Sequence, residues 1–157
     1  MSAVTLAPLP RAQGAAVQHL EVPEPQLSFV APIRQMLGEE RESVEFHKVL
    51  AGAEAVGFFK IDRAYGQDSG FAGPKDTGLR GFLIGGQYQG RGYGRAALEA
   101  LPAYLRETYP GLALVRLTVN HQNPVARRLY LATGWRETGL VWRGGRHGPQ
   151  DVLALDL

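Results

Sequence analysis

Gln87-Tyr88-Gln89-Gly90-Arg91-Gly92-Tyr93-Gly94-Arg95 stands between an apolar run, residues 79–84, and an apolar-periodic segment, residues 93–107. That order predicts a strand, a glycine-rich turn and a helix. Such a turn aims several backbone N–H groups of the helix start at one spot, and the helix dipole adds to their partial positive charge. The spot favours an anion such as a pyrophosphate. Glycine suits it because a side chain would block close approach, or because the backbone needs φ > 0. Arg91 and Arg95 add charge around the same point. A P-loop would need Lys-Ser or Lys-Thr after its second glycine, and the stretch has no Lys. A dinucleotide fingerprint starting at Gly90 fails at its last position, Arg95. On this stretch alone, a purely structural turn is the other reading.

A second segment bears on the choice. Residues 119–135 read Val-Asn-His-Gln-Asn-Pro-Val-Ala-Arg-Arg-Leu-Tyr-Leu-Ala-Thr-Gly-Trp. Asn123 as N-cap with Pro124 in the first helical position is a helix start, and Gly134 is a helix stop. Tyr130 lies two helical turns after Asn123, so the two share a face. A capped amphipathic helix with a half-buried tyrosine is the plainer reading.

Together, in this order and spacing, the two segments closely resemble the GNAT family of acyl-CoA-dependent N-acetyltransferases. Its first signature, Gln/Arg-x-x-Gly-x-Gly/Ala, is matched by Gln89, Gly92 and Gly94. Its second, an Asn at a helix start, then Ala, Leu-Tyr, and Gly with an aromatic, is matched by Asn123, Ala126, Leu129, Tyr130, Gly134 and Trp135. The resemblance spans residues 77–140.

It implies an α+β fold of the α/β GNAT type, one domain over residues 1–157. Its sheet would be mixed but mostly antiparallel, six- to seven-stranded, flanked by about four helices, with the fourth and fifth strands splayed. It implies acetyl-CoA as cosubstrate, held by Leu83, Ile84, Gln89, Gly90, Arg91, Gly92, Gly94, Arg95, Asn123 and Tyr130. A main-chain N–H near Leu83 or Ile84 would serve the developing oxyanion, and Tyr130 would be the general acid. No metal is implied, and a homodimer is compatible with the family. Residues 26–32, 56–58 and 88–94 look like the bacterial spermine/spermidine acetyltransferase group. Two departures, Gly85-Gly86 and Gly148-Pro149-Gln150-Asp151, remove or move negative charge that would suit a polyamine.

The general base has no clear owner. Residues 79–84 contain no Asp or Glu, where many family members place one. His121, as an imidazole after the fifth strand, is a candidate but also reads as a surface residue beside a helix cap. Glu45 and His47, two apart in a strand, share a face that either lines the acceptor cleft or is solvated. Proton removal through water, with no single essential base, is the leading expectation. A CoA-binding module for sensing or assembly is the alternative to an enzyme.

Composition fits an ordinary globular domain: 157 residues, 45% hydrophobic and 20% charged. The absence of cysteine excludes disulfides, thiolate nucleophiles and cysteine-based metal sites. A net charge of +2 without a block of like charges supports neither a nucleic-acid nor a membrane partner. Residues 1–16 lack the basic start and unbroken apolar core of a signal peptide, so the expected location is cytoplasmic.

Along the chain, residues 17–22 suggest a first strand and residues 26–37 short helical turns limited by prolines. A hairpin is expected from residues 43–50 and 55–62, then a loop over 63–77. Residues 39–42, Glu-Glu-Arg-Glu, read as a solvated charge cluster. Residues 77–84 form the fourth strand, 112–120 the fifth, and 135–143 with 151–157 the closing pair. Pro102 is expected to kink the long helix or split its last turns.

Overall fold

Val44–Ala51 and Glu54–Asp62, the second buried throughout after Glu54, pair as the antiparallel strands of one hairpin, β2 and β3, turning at Gly52 with φ of 62°. A computed structural model describes residues 3–67, 76–145 and 147–157. Most of the loop expected over 63–77 lies outside the described residues.

The sheet has seven strands in the order β1-β2-β3-β4-β5-β7-β6. The remaining strands are β1 (Thr5–Pro8), β4 (Thr77–Ile84), β5 (Leu114–Asn120), β6 (Arg136–Trp142) and β7 (Gln150–Asp156). All neighbours are antiparallel except β4 and β5. The helices are α1 (Ile33–Leu37), α2 (Tyr93–Thr108) and α3 (Pro124–Ala132), joined by short 3-10 turns.

Two cores sit on the sheet. Ala97, Leu98, Leu101 and Leu105 of α2 pack with Phe59, Ile61, Leu117 and Leu153. The N-terminal segment covers a second cluster, in which Val17, Leu20, Ile33 and Met36 meet Phe46, Phe58 and Leu83.

The first strand is not at residues 17–22. Arg11–Val17 is 3-10 helical, and β1 is Thr5–Pro8, paired with β2 from Thr5↔Leu50 to Pro8↔His47. Val17 and Leu20 are the buried members of that stretch, and a three-residue spacing serves a helical turn, not a pleat.

Pro102 does not split α2, which continues to Thr108. Proline there removes only the bond its N–H would have made to Leu98. The buried row Ala97, Leu98, Leu101 and Leu105 holds the helix across that gap.

Candidate active site

β4 and β5 pair in parallel at Thr77↔Val115 and Gly78↔Arg116 only, although both strands run several residues further. Beyond Gly78 they diverge, and a cleft of about 1170 Å³ opens between them. Tyr65 sits where they part. A Cβ on Gly78 would lie 2.1 Å from the Tyr65 ring, so only glycine lets the ring rest there. The Tyr65 hydroxyl hydrogen-bonds with Thr118 of β5. β4 also carries a bulge: Phe58↔Leu83 and Lys60↔Arg80 leave one extra residue on β4, and Gly81 takes φ of 61°. The ladder is therefore interrupted just before Leu83 and Ile84. Phe82 and Ile84 line the cleft, whereas the Leu83 side chain is buried in the N-terminal cluster.

The glycine turn forms one arm of the cleft. Gly90 and Gly92 take φ of 79° and 84°, and a Cβ on either would meet nothing within 4 Å. Gly92 is the N-cap of α2, with no side-chain cap, and its carbonyl accepts from Ala96 N–H. The N–H groups of Gly94 and Arg95 in that first turn have no carbonyl four residues back within the helix. Arg95 lines the cleft and pairs with Glu99 at 3.5 Å, whereas Arg91 is exposed outside the lining. The Gln89 amide does not reach outward. It donates to the Ile84 carbonyl at 2.7 Å and to Gln26 Oε1 at 3.1 Å, and accepts from Gln26 Nε2 at 3.0 Å.

α3 forms the facing wall. Asn123 caps it by accepting from Ala126 N–H at 3.4 Å, as the Asn-Pro start predicted. Asn123, Ala126, Leu129 and Tyr130 all line the cleft. The Tyr130 ring meets Phe82 and Trp135 edge-on, at 6.5 Å and 5.8 Å between centroids. Among the described residues its hydroxyl has no hydrogen-bond partner. Burial raises the phenol's pKa above its ordinary 10, with a smaller push from Tyr65.

The weaker base candidates are elsewhere. His47 is buried on the α2 side of the sheet, stacked on Phe59, with Nδ1 2.6 Å from the Tyr104 hydroxyl and Nε2 2.9 Å from that of Tyr109. Glu45 is exposed and does not line the cleft. His121 is also outside it, donating to Asp151 at 2.7 Å. Burial works against the Asp151 carboxylate, but hydrogen bonds from His121 and Arg127 hold its pKa below the usual range.

Residues 39–42 are not simply a solvated cluster. Glu39 and Arg41 line the cleft together with Lys60, Asp62 and Arg80. Lys60 donates to Glu39 at 3.1 Å, and Arg80 Nη1 reaches both Glu39 oxygens and Asp62. Burial tends to raise Glu39, yet the Lys60 bond and the Arg80 charge hold its pKa down. Burial pushes the Lys60 ammonium down, against the Glu39 bond. The available signal was Lys60 and Asp62 at alternate positions after the apolar run from Ala55 to Phe59. Gly85-Gly86 has a packing reason: a Cβ on Gly85 would lie 2.8 Å from Leu20, and Gly86 N–H donates to the Glu21 carbonyl at 2.7 Å.

Among the described residues no group of three or more His, Cys, Asp or Glu could hold a metal, and no helix is long and apolar enough to cross a membrane. The model of the acetyltransferase (GNAT) family matches residues 15–135. The curated proteins give no match. Solved structures that share the fold include the following three. The aminoglycoside acetyltransferase AAC(6')-Ib, in complex with coenzyme A and kanamycin, is 19% identical with a TM-score of 0.75, covering 98% of this chain and 95% of that one. Spermidine N-acetyltransferase from Vibrio cholerae, with CoA and spermine, is 17% identical at 0.70, covering 98% and 95%. The ribosomal-protein-S18-alanine N-acetyltransferase from Escherichia coli is 21% identical at 0.68, covering 98% and 93%.

Proposed function

The chain belongs to the GNAT acetyltransferase family, and on that footing we propose that it moves the acetyl group of acetyl-CoA to a small primary amine by direct attack in a ternary complex. One observation carries this reading: a single cleft connects the glycine turn, Tyr130 and the charged pocket beside α1. Open space over Gly90 and Gly92, beside unpaired first-turn donors of α2, suits a pyrophosphate. Gly90, Arg91, Gly92, Gly94 and Arg95 would hold it, Gln89 would fix the turn, and Asn123, Tyr130 and the backbone at Leu83 and Ile84 would flank the acyl end. The setting proposed for the enzyme is the cytoplasm.

Acetyl-CoA supplies the thioester carbonyl that the amine attacks. Only a neutral amine attacks, and for a lysine-like pKa of about 10.4 this costs about 5 kcal/mol at pH 7. Desolvation in the cleft lowers that cost. Glu39 and Asp62 are the carboxylates lining the cleft among the described residues, and both are bonded to cations. The proton therefore leaves through water, not through one dedicated base.

A main-chain N–H near Leu83 or Ile84 donates to the carbonyl oxygen as charge grows there. Tyr130 protonates the departing sulfur. Its raised pKa keeps it protonated across the physiological range. The same shift makes transfer to a thiolate of ordinary pKa, about 8.5, uphill, so the proton moves as the C–S bond breaks. In balance, the N–C bond forms, the C–S bond breaks, one proton leaves nitrogen and one reaches sulfur.

Free-thiol release from acetyl-CoA with a mixed panel of amines tests this reading. Amine-dependent release is the expected result. Tight CoA binding with no release above background would mark a binding module instead.

A further inference from the structure

Among the described residues the acceptor arm of the cleft is lined by more cations than carboxylates. Its lining holds Arg41, Lys60 and Arg80 against Glu39 and Asp62, and no further acidic side chain among the described residues. Both carboxylates are already paired with resident cations. Glu39 Oε1 takes Lys60 Nζ at 3.1 Å and Arg80 Nη1 at 3.0 Å, and Oε2 takes Arg80 Nη1 at 3.1 Å. Asp62 is 1% exposed. Its Oδ1 accepts from Ser43 Oγ at 3.1 Å and Ala64 N–H at 2.9 Å, while Oδ2 faces Arg80 at 3.3 Å and Arg41 at 3.6 Å. An ammonium group entering here would compete with these resident cations for both carboxylates.

Arg80 has the opposite character. Lys60 and Arg80 are direct cross-strand partners on β3 and β4, an arrangement that ordinarily destabilises a sheet. Glu39 bonds to both members of the pair, and Asp62 pairs with Arg80. Arg80 makes all its protein bonds through Nη1, so among the described residues Nε and Nη2 have no protein partner. Its side chain is 35% exposed and lines the cleft beside the Gly81 bulge. Two parallel donors on a planar cation match a carboxylate.

We infer that the acceptor is a small primary amine that also carries a carboxylate, and that Arg80 is the residue that binds this carboxylate. The inference rests on the acetyl transfer proposed above and names its substrate class. It sets this chain apart from an enzyme for polycations, whose acceptor site needs unpaired negative charge.

The experiment compares ω-amino acids of two to six carbons with the monoamine and the diamine of the same length, by steady-state kcat/KM from thiol release. The expected result is at least one amino acid tenfold or more above both of its matched amines. In Arg80→Gln that ratio should fall to within about twofold of unity, while Arg80→Lys keeps part of it. Because the readout is a ratio, a general loss of activity cancels. Preference for the monoamine or diamine in the unaltered protein overturns the inference, as does a ratio that survives in a folded Arg80→Gln. If no amine releases thiol, the transfer reading itself fails. Calorimetry on the CoA-loaded protein then decides the anion site: tighter binding of the amino acid than of its matched amine supports it, and equal binding overturns it.

Discussion

The side chains of Gln26 and Gln89 clasp each other through two reciprocal amide hydrogen bonds of 3.0 and 3.1 Å. Gln89 spends its other N–H on the Ile84 carbonyl. The end of β4, the glycine turn and the N-terminal segment are thereby tied at one point. Gln89 thus acts by positioning the turn.

Gln89→Ala removes all three bonds. With each worth about 1 kcal/mol net, acetyl-CoA affinity should fall about tenfold or more. Gln26→Ala should give a smaller loss, and the double variant should be no worse than Gln89→Ala alone. Calorimetric titration of the three variants checks this, and fully additive losses would break the proposed link.

Gly94 has an ordinary backbone, and its added Cβ would touch Ile84 at 3.5 Å and Leu129 at 3.8 Å. Gly94→Ala should therefore fold normally, since alanine favours a helix by about 1 kcal/mol over glycine. The family signature also admits alanine here, so acetyl-CoA binding should be retained, whereas the larger, branched Gly94→Val should weaken it at least tenfold. Gly92→Val should weaken it similarly, with some loss of stability from the positive φ. Unchanged affinity in folded Gly94→Val and Gly92→Val would move the pyrophosphate elsewhere.

Tyr130→Phe keeps the contacts to Phe82 and Trp135 and removes the proton donor. The expected fall in kcat is about 10²- to 10⁴-fold, the range for general acid catalysis, with acetyl-CoA affinity nearly unchanged. A kcat within twofold, with chemistry shown to limit the rate, would make Tyr130 a packing residue.

Burial pulls the His47 imidazole from 6.5 down to about 4. Between those values the unfolded chain binds more protons at this site, so stability is fully present above the window and falls as the pH drops through it. At about 1.36 kcal/mol per unit the loss by pH 4 is on the order of 3 kcal/mol. His47→Phe should lower stability at pH 7, because Tyr104 and Tyr109 lose their partner, yet flatten the acid slope. Urea unfolding across this range measures both, and equal slopes would assign the acid sensitivity to other groups.

The chain's own order of residues determined what depends on neighbours a few positions apart. The glycine turn, the Asn-Pro cap, the hairpin and the strand–helix alternation after residue 77 were all legible there. Each follows from backbone freedom, capping or side-chain period. Together with the family resemblance they gave the sheet and the turn, but not the acceptor pocket. Tertiary structure decided which face of each strand meets the cleft. Alternation groups Glu45 with His47, and Lys60 with Asp62, without saying which pair turns toward the site. Packing against α2 took His47 into the interior, and the approach of Glu39 from beyond α1 drew Lys60 and Arg80 into one network. That network joins residues 18 to 41 positions apart, so no local spacing encodes it. The same distance hid β1: four residues count as a strand only when the edge of β2 pairs with them.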